Sequence, residues 1–411
     1  LANTSPNDLA AELLRACLAD EPWPEDALEG LIAAALDPDP AAATAAASAL
    51  FAGLVEPLAD RFEPRLCQAY AELFSRVLAR ALPGLSAADL LARYEQVRSV
   101  RPAGFEPARV FVLSRVTLGA DIAVTSVLLD AARQRFPHAE IFFAGPQKNW
   151  ELFERAPRLR HVPVSYPRLG TLPERLAAYA KLRGDLDAPD ALVLDPDSRL
   201  TQLGLLPVCA AERHFLFESR ACGGDSQASL TALAQDWARR VLGVEEAVPW
   251  MHPRFACEFG SQPVATVSLG VGENPAKRVE DPFEEELLAL LSSRKGLVMV
   301  DAGAPGSEEE ERVLRAAERA RARGARIGIH EGSFASFAAM IAASDYYAGY
   351  DSAGQHAAAA AGVPLVCVFR GYACERALSR WAPDGPAPAA IVRGEGKSAG
   401  QILSEIRQAL A

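Results

Sequence analysis

The 411-residue chain has no Cys-x-x-Cys pair, and its seven cysteines are odd in number and scattered from Cys17 to Cys374. That pattern excludes a zinc ribbon and a disulfide framework and fits a reducing compartment. Histidine is scarce: the six, at 138, 161, 214, 252, 330 and 356, show no metal-binding spacing. No Gly-x-Ser-x-Gly nucleophile elbow occurs. Positive charge is not in excess: 42 basic residues stand against 53 acidic ones, a formal net charge of −11. The chain therefore has no general attraction for nucleic acid or anionic lipid, and any polyanion must be met by a local basic pocket. Leu1 to Leu14 shows no basic segment followed by an apolar one, so no secretory signal is expected. The longest apolar run, residues 357–369, contains Gly362 and Pro364 and is too short to span a bilayer. These absences predict a cytoplasmic protein.

What is present is a core-forming composition, 50% apolar and 23% charged. The length suits two to three domains. Charge is unevenly divided, with net −8 over residues 1–100, 0 over 101–260 and −3 over 261–411, which suggests three units with those boundaries.

Residues 1–100 read as helices only. Apolar residues recur at three and four spacing over 8–19 and 65–81, alanine dominates 41–52, and proline punctuates the rest. Two readings stand for this unit, a structural extension or a module for docking and oligomerisation. Arg101-Pro102-Ala103-Gly104 reads as its linker. From Arg109 the pattern changes to strand, helix and strand, with strands over 109–114, 140–144, 191–194 and 214–217 and a long helix over 226–242. After residue 260 the alternation is uninterrupted, ending in strands 346–350 and 365–369. The expected fold class is α/β, two lobes each built on a parallel sheet, preceded by the helical unit. Ligands of such sheets bind at the carboxyl ends of the strands, so the loops there are the places to search.

Three loops qualify. Residues 115–121 end in Asp121 at a helix start, where a carboxylate can cap the helix or act as a general base. Residues 270–278 carry two glycines and the pair Lys277 and Arg278, suited to phosphate, although the Walker A pattern and the full dinucleotide fingerprint are both missing. The plainer reading of that pair is an exposed basic turn. Residues 350–356 place Asp351, Ser352, Gly354 and His356 at a helix N-terminus, a set that caps a helix or forms a phosphate or ribose pocket. The acids 308–311 read as a solvated first helical turn, where they suit the helix dipole; the alternative reading is that one of them reaches a ribose.

In this order the motifs resemble glycosyltransferase family 9, the ADP-heptose heptosyltransferases of lipopolysaccharide synthesis. Arg115, Asp121, Thr125 and Pro137-His138-Ala139-Glu140-Ile141 stand in the family register without gaps. Lys277 matches the family lysine on the donor phosphates, and Asp351-Ser352-Ala353-Gly354-Gln355-His356 matches the Asp-Thr/Ser-Gly-x-x-His motif. Gly362-Val363-Pro364 comes next, as in the family, whereas Ala120 and Ala353 replace family glycines. The resemblance spans about residues 108–395 and omits the helical unit.

It implies the GT-B fold of two facing Rossmann-like lobes and an inverting, metal-independent transfer of a sugar to a hydroxyl acceptor. It also implies Asp121 as catalytic base, and Lys277, Arg278, Asp351, Ser352, Gly354 and His356 as donor-binding residues. The donor, an ADP-linked sugar, is a substrate, and no cofactor or metal is implied. The acceptor would be a lipid-linked saccharide or a protein, met in the cytoplasm or at the inner membrane surface, with the helical unit available for self-association or docking. Two alternatives share the architecture, a nucleotide-sugar epimerase and a non-catalytic nucleotide-sugar-binding protein.

Overall fold

The computed structural model describes residues 4–272 and 274–410; Glu273, in the glycine-bearing loop, lies outside them. Between Pro6 and Arg98 the described residues form only helices, at Pro6–Ala19, Glu25–Ala35, Pro40–Ala59, Pro64–Ala81 and Ala87–Arg98. Local chemistry starts them where it should. Ser5 and Asp8 form a capping box, Asp39 accepts from the Ala41 and Ala42 amides, and proline opens three of the helices. Along Pro64–Ala81 the buried positions Leu66, Tyr70, Leu73, Phe74, Val77 and Leu78 repeat at helical spacing.

Helix Pro40–Ala59 revises one expectation: it is apolar and long enough to cross a membrane by length and composition, although half of its most apolar window is buried within the protein. The sequence hid this length because Thr44, Ser48 and Glu56-Pro57 interrupt the apolar run. Pro57 cannot donate a backbone bond, and its ring crowds the preceding turn. The helix relieves that crowding with a π-turn over Phe51–Val55, where the Glu56 amide bonds back to Phe51.

Beyond the helices lie two all-parallel sheets. The first has the order β3-β2-β1-β4-β5, with β1 Arg109–Leu113, β2 Glu140–Gly145, β3 Leu159–Pro163, β4 Ala191–Asp195 and β5 His214–Leu216. The second has the order β11-β10-β9-β6-β7-β8, with β6 Val264–Ser268, β7 Leu297–Asp301, β8 Ile327–His330, β9 Tyr346–Tyr350, β10 Leu365–Phe369 and β11 Ala389–Arg393. Central strands such as β4, β6 and β10 are buried throughout, which is why β10 is wholly apolar and β4 is apolar up to Asp195, whereas β6 carries Thr266 and Ser268 on one face. One apolar cluster joins the lobes: Val124 and Val127, on the helix after β1, pack with Phe337, Ile341, Ala357 and Ala358 of the second lobe.

The helical unit is not a free appendage. Leu172, Leu176, Leu203, Leu205, Leu206 and Leu216 of the first lobe are buried in the same apolar cluster as the helices. Polar bonds seal the seam. Arg93 donates to the Cys209 carbonyl at 2.9 Å and to His214 Nδ1 at 2.9 Å. Tyr94 donates to Glu218, which also pairs with Arg98 Nε at 3.1 Å. Burial raises the Glu218 carboxyl to about 7, although Tyr94 and Arg98 both favour its charged form.

A chain beginning at Arg101 should therefore aggregate or melt well below the full-length protein. Each exposed leucine of the seam forfeits ~1.5–3 kcal/mol, and six together exceed the margin by which a domain is ordinarily stable. Light scattering and thermal melting of the two chains check this. A monodisperse truncation with an unchanged melting temperature would show the helices to be dispensable.

Candidate active site

The carboxyl ends of the two sheets face one cleft, and the helical unit forms its third wall. A cavity of about 600 Å³ there is lined by Glu56 and Asp60 of the helical unit, Arg115, Arg199 and Arg220 of the first lobe, and Lys277 of the second. A neighbouring cavity of about 220 Å³ shares Asp60, Asn274, Lys277 and Trp381 with it and adds Asp351 and Tyr372. Among the described residues no group of His, Cys, Asp and Glu is placed to hold a metal ion.

The loop after β1 is drawn over Asp121. Both Asp121 oxygens are engaged: Oδ2 accepts from Ser114 Oγ at 2.5 Å and Asn149 Nδ2 at 2.6 Å, and Oδ1 from the Arg115 amide at 2.6 Å and Thr125 Oγ1 at 2.6 Å. The residue is 0% exposed and lines neither cavity. Burial raises its carboxyl above the usual range, against the pull of its four donors. Val116, one residue from this network, holds φ +71°, a left-handed conformation costly for a β-branched side chain. The helix behind it carries a second π-turn, Asp121–Thr125, and Asp121 takes part there through its carbonyl rather than as a simple cap.

Beside it Arg115 is buried. Its guanidinium donates to the Pro196 carbonyl at 2.9 Å and to Ser219, and lies 5.9 Å from the centre of the Trp381 ring. Burial lowers it to about 10, and Arg220 presses the same way, so it stays charged at neutral pH. Arg220 pairs with Asp197 Oδ2 at 2.8 Å. Burial works against the Arg220 charge, but Asp197 and Asp60 more than offset this and hold it above the ordinary arginine range.

On the second lobe Lys277 Nζ pairs with Asp351 Oδ2 at 2.8 Å and also donates to the Asp351 carbonyl at 3.1 Å. This joins two of the three loops named from the sequence. Gln355 steadies the same carboxylate at 2.7 Å. Gly354 lies under the Tyr347 hydroxyl, where no side chain fits. His356 is buried behind the cavity, 5.9 Å from Trp381; burial pulls its imidazole down to about 4, with Asp351 resisting and Lys277 assisting. Ser352 is 3.5 Å from the Tyr347 hydroxyl and makes no cap bond of its own.

Arg278 departs from its neighbour. It turns to Asp281 and Glu284 on the outer side of the loop and lines neither cleft cavity. The basic pair is thus split, because two carboxylates close in sequence outcompete the cleft for Arg278.

The third contact is between lobes. A Cβ on Gly119 would meet His356 Cδ2 at 3.1 Å and Ala353 Cα at 3.2 Å, so the Asp121 loop and the Asp351 loop touch through a glycine. Glu309, from the acidic first turn, reaches under the second lobe's strand ends, where a Cβ on Gly270 would lie 2.9 Å from its carboxylate. Among the lining residues that sequence reasoning missed, with Glu56, Arg199, Arg220 and Trp381, is Asp60. Its only local signal is its place at the end of a helix containing proline.

His356 gives a pH test. A histidine held near 4 in the folded chain but ordinary when unfolded stabilises nothing by its charge. The unfolded state binds the extra proton, so stability falls as pH drops from about 6.5 to about 4, by up to ~3 kcal/mol. In His356→Gln that loss should disappear. The melting-temperature gap between wild type and variant, measured at pH 7 and pH 4.5, should shift in the variant's favour at the lower pH. A gap independent of pH would show that His356 is not held neutral.

No family model and no curated protein matches the chain. Solved structures do. The glycosyl transferase family 9 protein from Veillonella parvula aligns with a TM-score of 0.54 at 15% identity, over 74% of this chain and 97% of that one. The Escherichia coli heptosyltransferase WaaC, solved with ADP, aligns with a TM-score of 0.52 at 16% identity, over 73% of this chain and 99% of that one. At such identities the likeness is one of backbone, and the chain has the two-lobed fold of the family 9 glycosyltransferase structures.

Proposed function

We propose that the chain is a glycosyltransferase that moves a sugar from a nucleoside diphosphate to a hydroxyl acceptor, with inversion and without a metal ion. The sugar would be a heptose carried by ADP, as the sequence resemblance implies. The observation that carries this reading is the meeting of three strand-end loops in one cleft. Lys277, fixed by Asp351, faces a cavity of a size that suits a small-molecule ligand, and the Asp121 loop abuts the Asp351 helix through Gly119.

In this reading Lys277 meets the diphosphate and stabilises the charge that develops as the anomeric C–O bond to phosphate breaks. Asp351 holds Lys277 in place, Gly354 and His356 shape the wall behind, Ser352 borders it, and Glu309 receives ribose hydroxyls. Arg278 contributes through the loop's conformation, since its side chain is engaged elsewhere. Asp121 takes the acceptor's proton once the loop carrying Ser114 and Arg115 opens, and the backbone strain at Val116 favours that opening. The acceptor, a lipid-linked saccharide or a protein, enters from the side of Arg115, Arg168 and Arg199.

Lys277→Ala should weaken nucleotide-sugar binding by ~1.5–3 kcal/mol, the range for a hydrogen bond to a charged group. Calorimetry with ADP-, GDP- and UDP-sugars reads this, and unchanged affinity would remove Lys277 from the site.

Asp121→Asn should lower transfer by ~10²–10⁴-fold with donor affinity intact, the usual worth of a general base. The sealing of Asp121 by four donors also favours a second reading, a protein that holds a nucleotide sugar without transferring it. In that case wild type and Asp121→Asn would bind donor alike, and neither would transfer or hydrolyse it.

A further inference from the structure

Among the described residues Asp60 is the one acidic side chain that lines both cavities of the cleft. It caps the carboxyl end of helix Pro40–Ala59, where its amide donates to the Glu56 carbonyl at 2.8 Å. Its neighbour Glu56 is taken up by Arg199 at 2.9 Å and by Arg168 at 3.5 Å. Asp121 and Asp351 are likewise engaged. The Asp60 carboxylate, by contrast, accepts no hydrogen bond and makes no ion pair among the described residues; burial raises it above the usual carboxylate range, against the pull of Arg220, Arg199 and Arg115. A carboxylate has room for about four donors, and the Asp60 oxygens, on the wall of both cavities, are open to donors from a ligand that displaces water there.

The chemistry around it selects the ligand. Lys277, in the same two cavities, is the cation placed for phosphate. Phosphate oxygens are anionic and accept only, so Asp60 repels them. Beyond its phosphates, a nucleotide sugar presents a neutral ring rich in hydroxyl donors. Trp381 lines both cavities with Asp60 and supplies an indole against which the C–H face of such a ring can lie.

Resting on the nucleotide-sugar reading above, we infer that Asp60 is the sugar-binding carboxylate of this site. It accepts hydrogen bonds from hydroxyls of the transferred sugar while Trp381 covers the ring, so the donor pocket is complete only with the helical unit in place.

The test compares a nucleotide with its sugar conjugate on the full-length chain by calorimetry, using ADP and ADP-heptose, or the corresponding pair of whichever ADP-, GDP- or UDP-sugar wild type binds. Wild type should bind the sugar conjugate more tightly than the bare nucleotide. In Asp60→Ala the conjugate should lose about tenfold to hundredfold in affinity, as for hydrogen bonds to a charged acceptor. The bare diphosphate should bind equally or more tightly, because a repelling charge has gone. Asp60→Asn, nearly isosteric, should fall between the two and guards against misfolding of the alanine variant. A merely structural role would weaken both ligands together, and that result, or no change in either, overturns the assignment of Asp60 while leaving the transferase reading intact. Failure of wild type to bind any of these nucleotides or conjugates overturns the parent reading, and this inference with it.

Discussion

The cleft depends on the leucine seam that fastens the helical unit to the first lobe. Leu203, Leu205 and Leu206 lie in the segment between β4 and β5, the same segment that carries Asp197 and Arg199. Packing that segment against the helices fixes the arginine wall and the end of helix Pro40–Ala59 with respect to each other. The polar chain beneath extends the fastening. Arginine only donates, so the Arg93 bond makes His214 Nδ1 an acceptor, leaving Nε2–H to donate to Asp195 Oδ2 at 3.1 Å. Asp195 in turn receives Thr201 Oγ1 at 2.6 Å and the Ser198 amide at 2.7 Å. A helix outside the sheets thereby holds the loop that ends β4, and every joint beyond Arg93 is buried.

Two helices widen into π-turns, one ahead of the cleft-lining Asp60 and one at the buried Asp121. Phe51–Val55 precedes Asp60, and Asp121–Thr125 begins with Asp121. A π-turn adds a residue to the helical count and rotates everything after it. In the first helix Pro57 explains the widening. In the second the Asp121 carboxylate draws in the Thr125 hydroxyl and the Arg115 amide at once, a demand that a regular first turn with a capping aspartate does not make. The first deformation accommodates a proline, and the second accompanies the hydrogen bonds of a buried side chain.

Much of this architecture is legible in the sequence. Strands β9 and β10 end where their apolar runs end, since buried parallel strands have no polar face to blur them. Strands β3 and β11 are not legible, because Leu159–Pro163 and Ala389–Arg393 sit at sheet edges, half exposed, and read as mixed loops. Lys277, Asp351 and His356 are found by motif, yet their arrangement is not: whether a basic pair acts together depended on Asp281 and Glu284, which claim Arg278. The burial of Asp121 has no sequence signal either, since Asn149, its fourth donor, belongs to a different helix. Asp60 is the extreme case. Its surroundings are made by Arg220, Lys277 and Trp381, more than 150 residues away in the chain, and no window along the sequence contains them.

The charge of the cleft shows why such distant residues must converge. The chain is strongly acidic, so a diphosphate approaching it is repelled at long range. Only a local surplus of cations can reverse that, and Arg115, Arg168, Arg199, Arg220 and Lys277 supply it around one cavity. An unrelieved cluster of that density would repel itself, and Arg220 already lowers the pKa of Arg115. Asp197, Glu56 and Asp351 relieve it by pairing with Arg220, Arg199 and Lys277. Asp60 adds one further carboxylate, with no ion pair among the described residues. For holding the cluster together it is the least efficient of the four acids, and for presenting an acceptor to an uncharged, hydroxylated group it is the most. The helical unit carries both Glu56 and Asp60, so it sets how much of the cleft's positive field is neutralised.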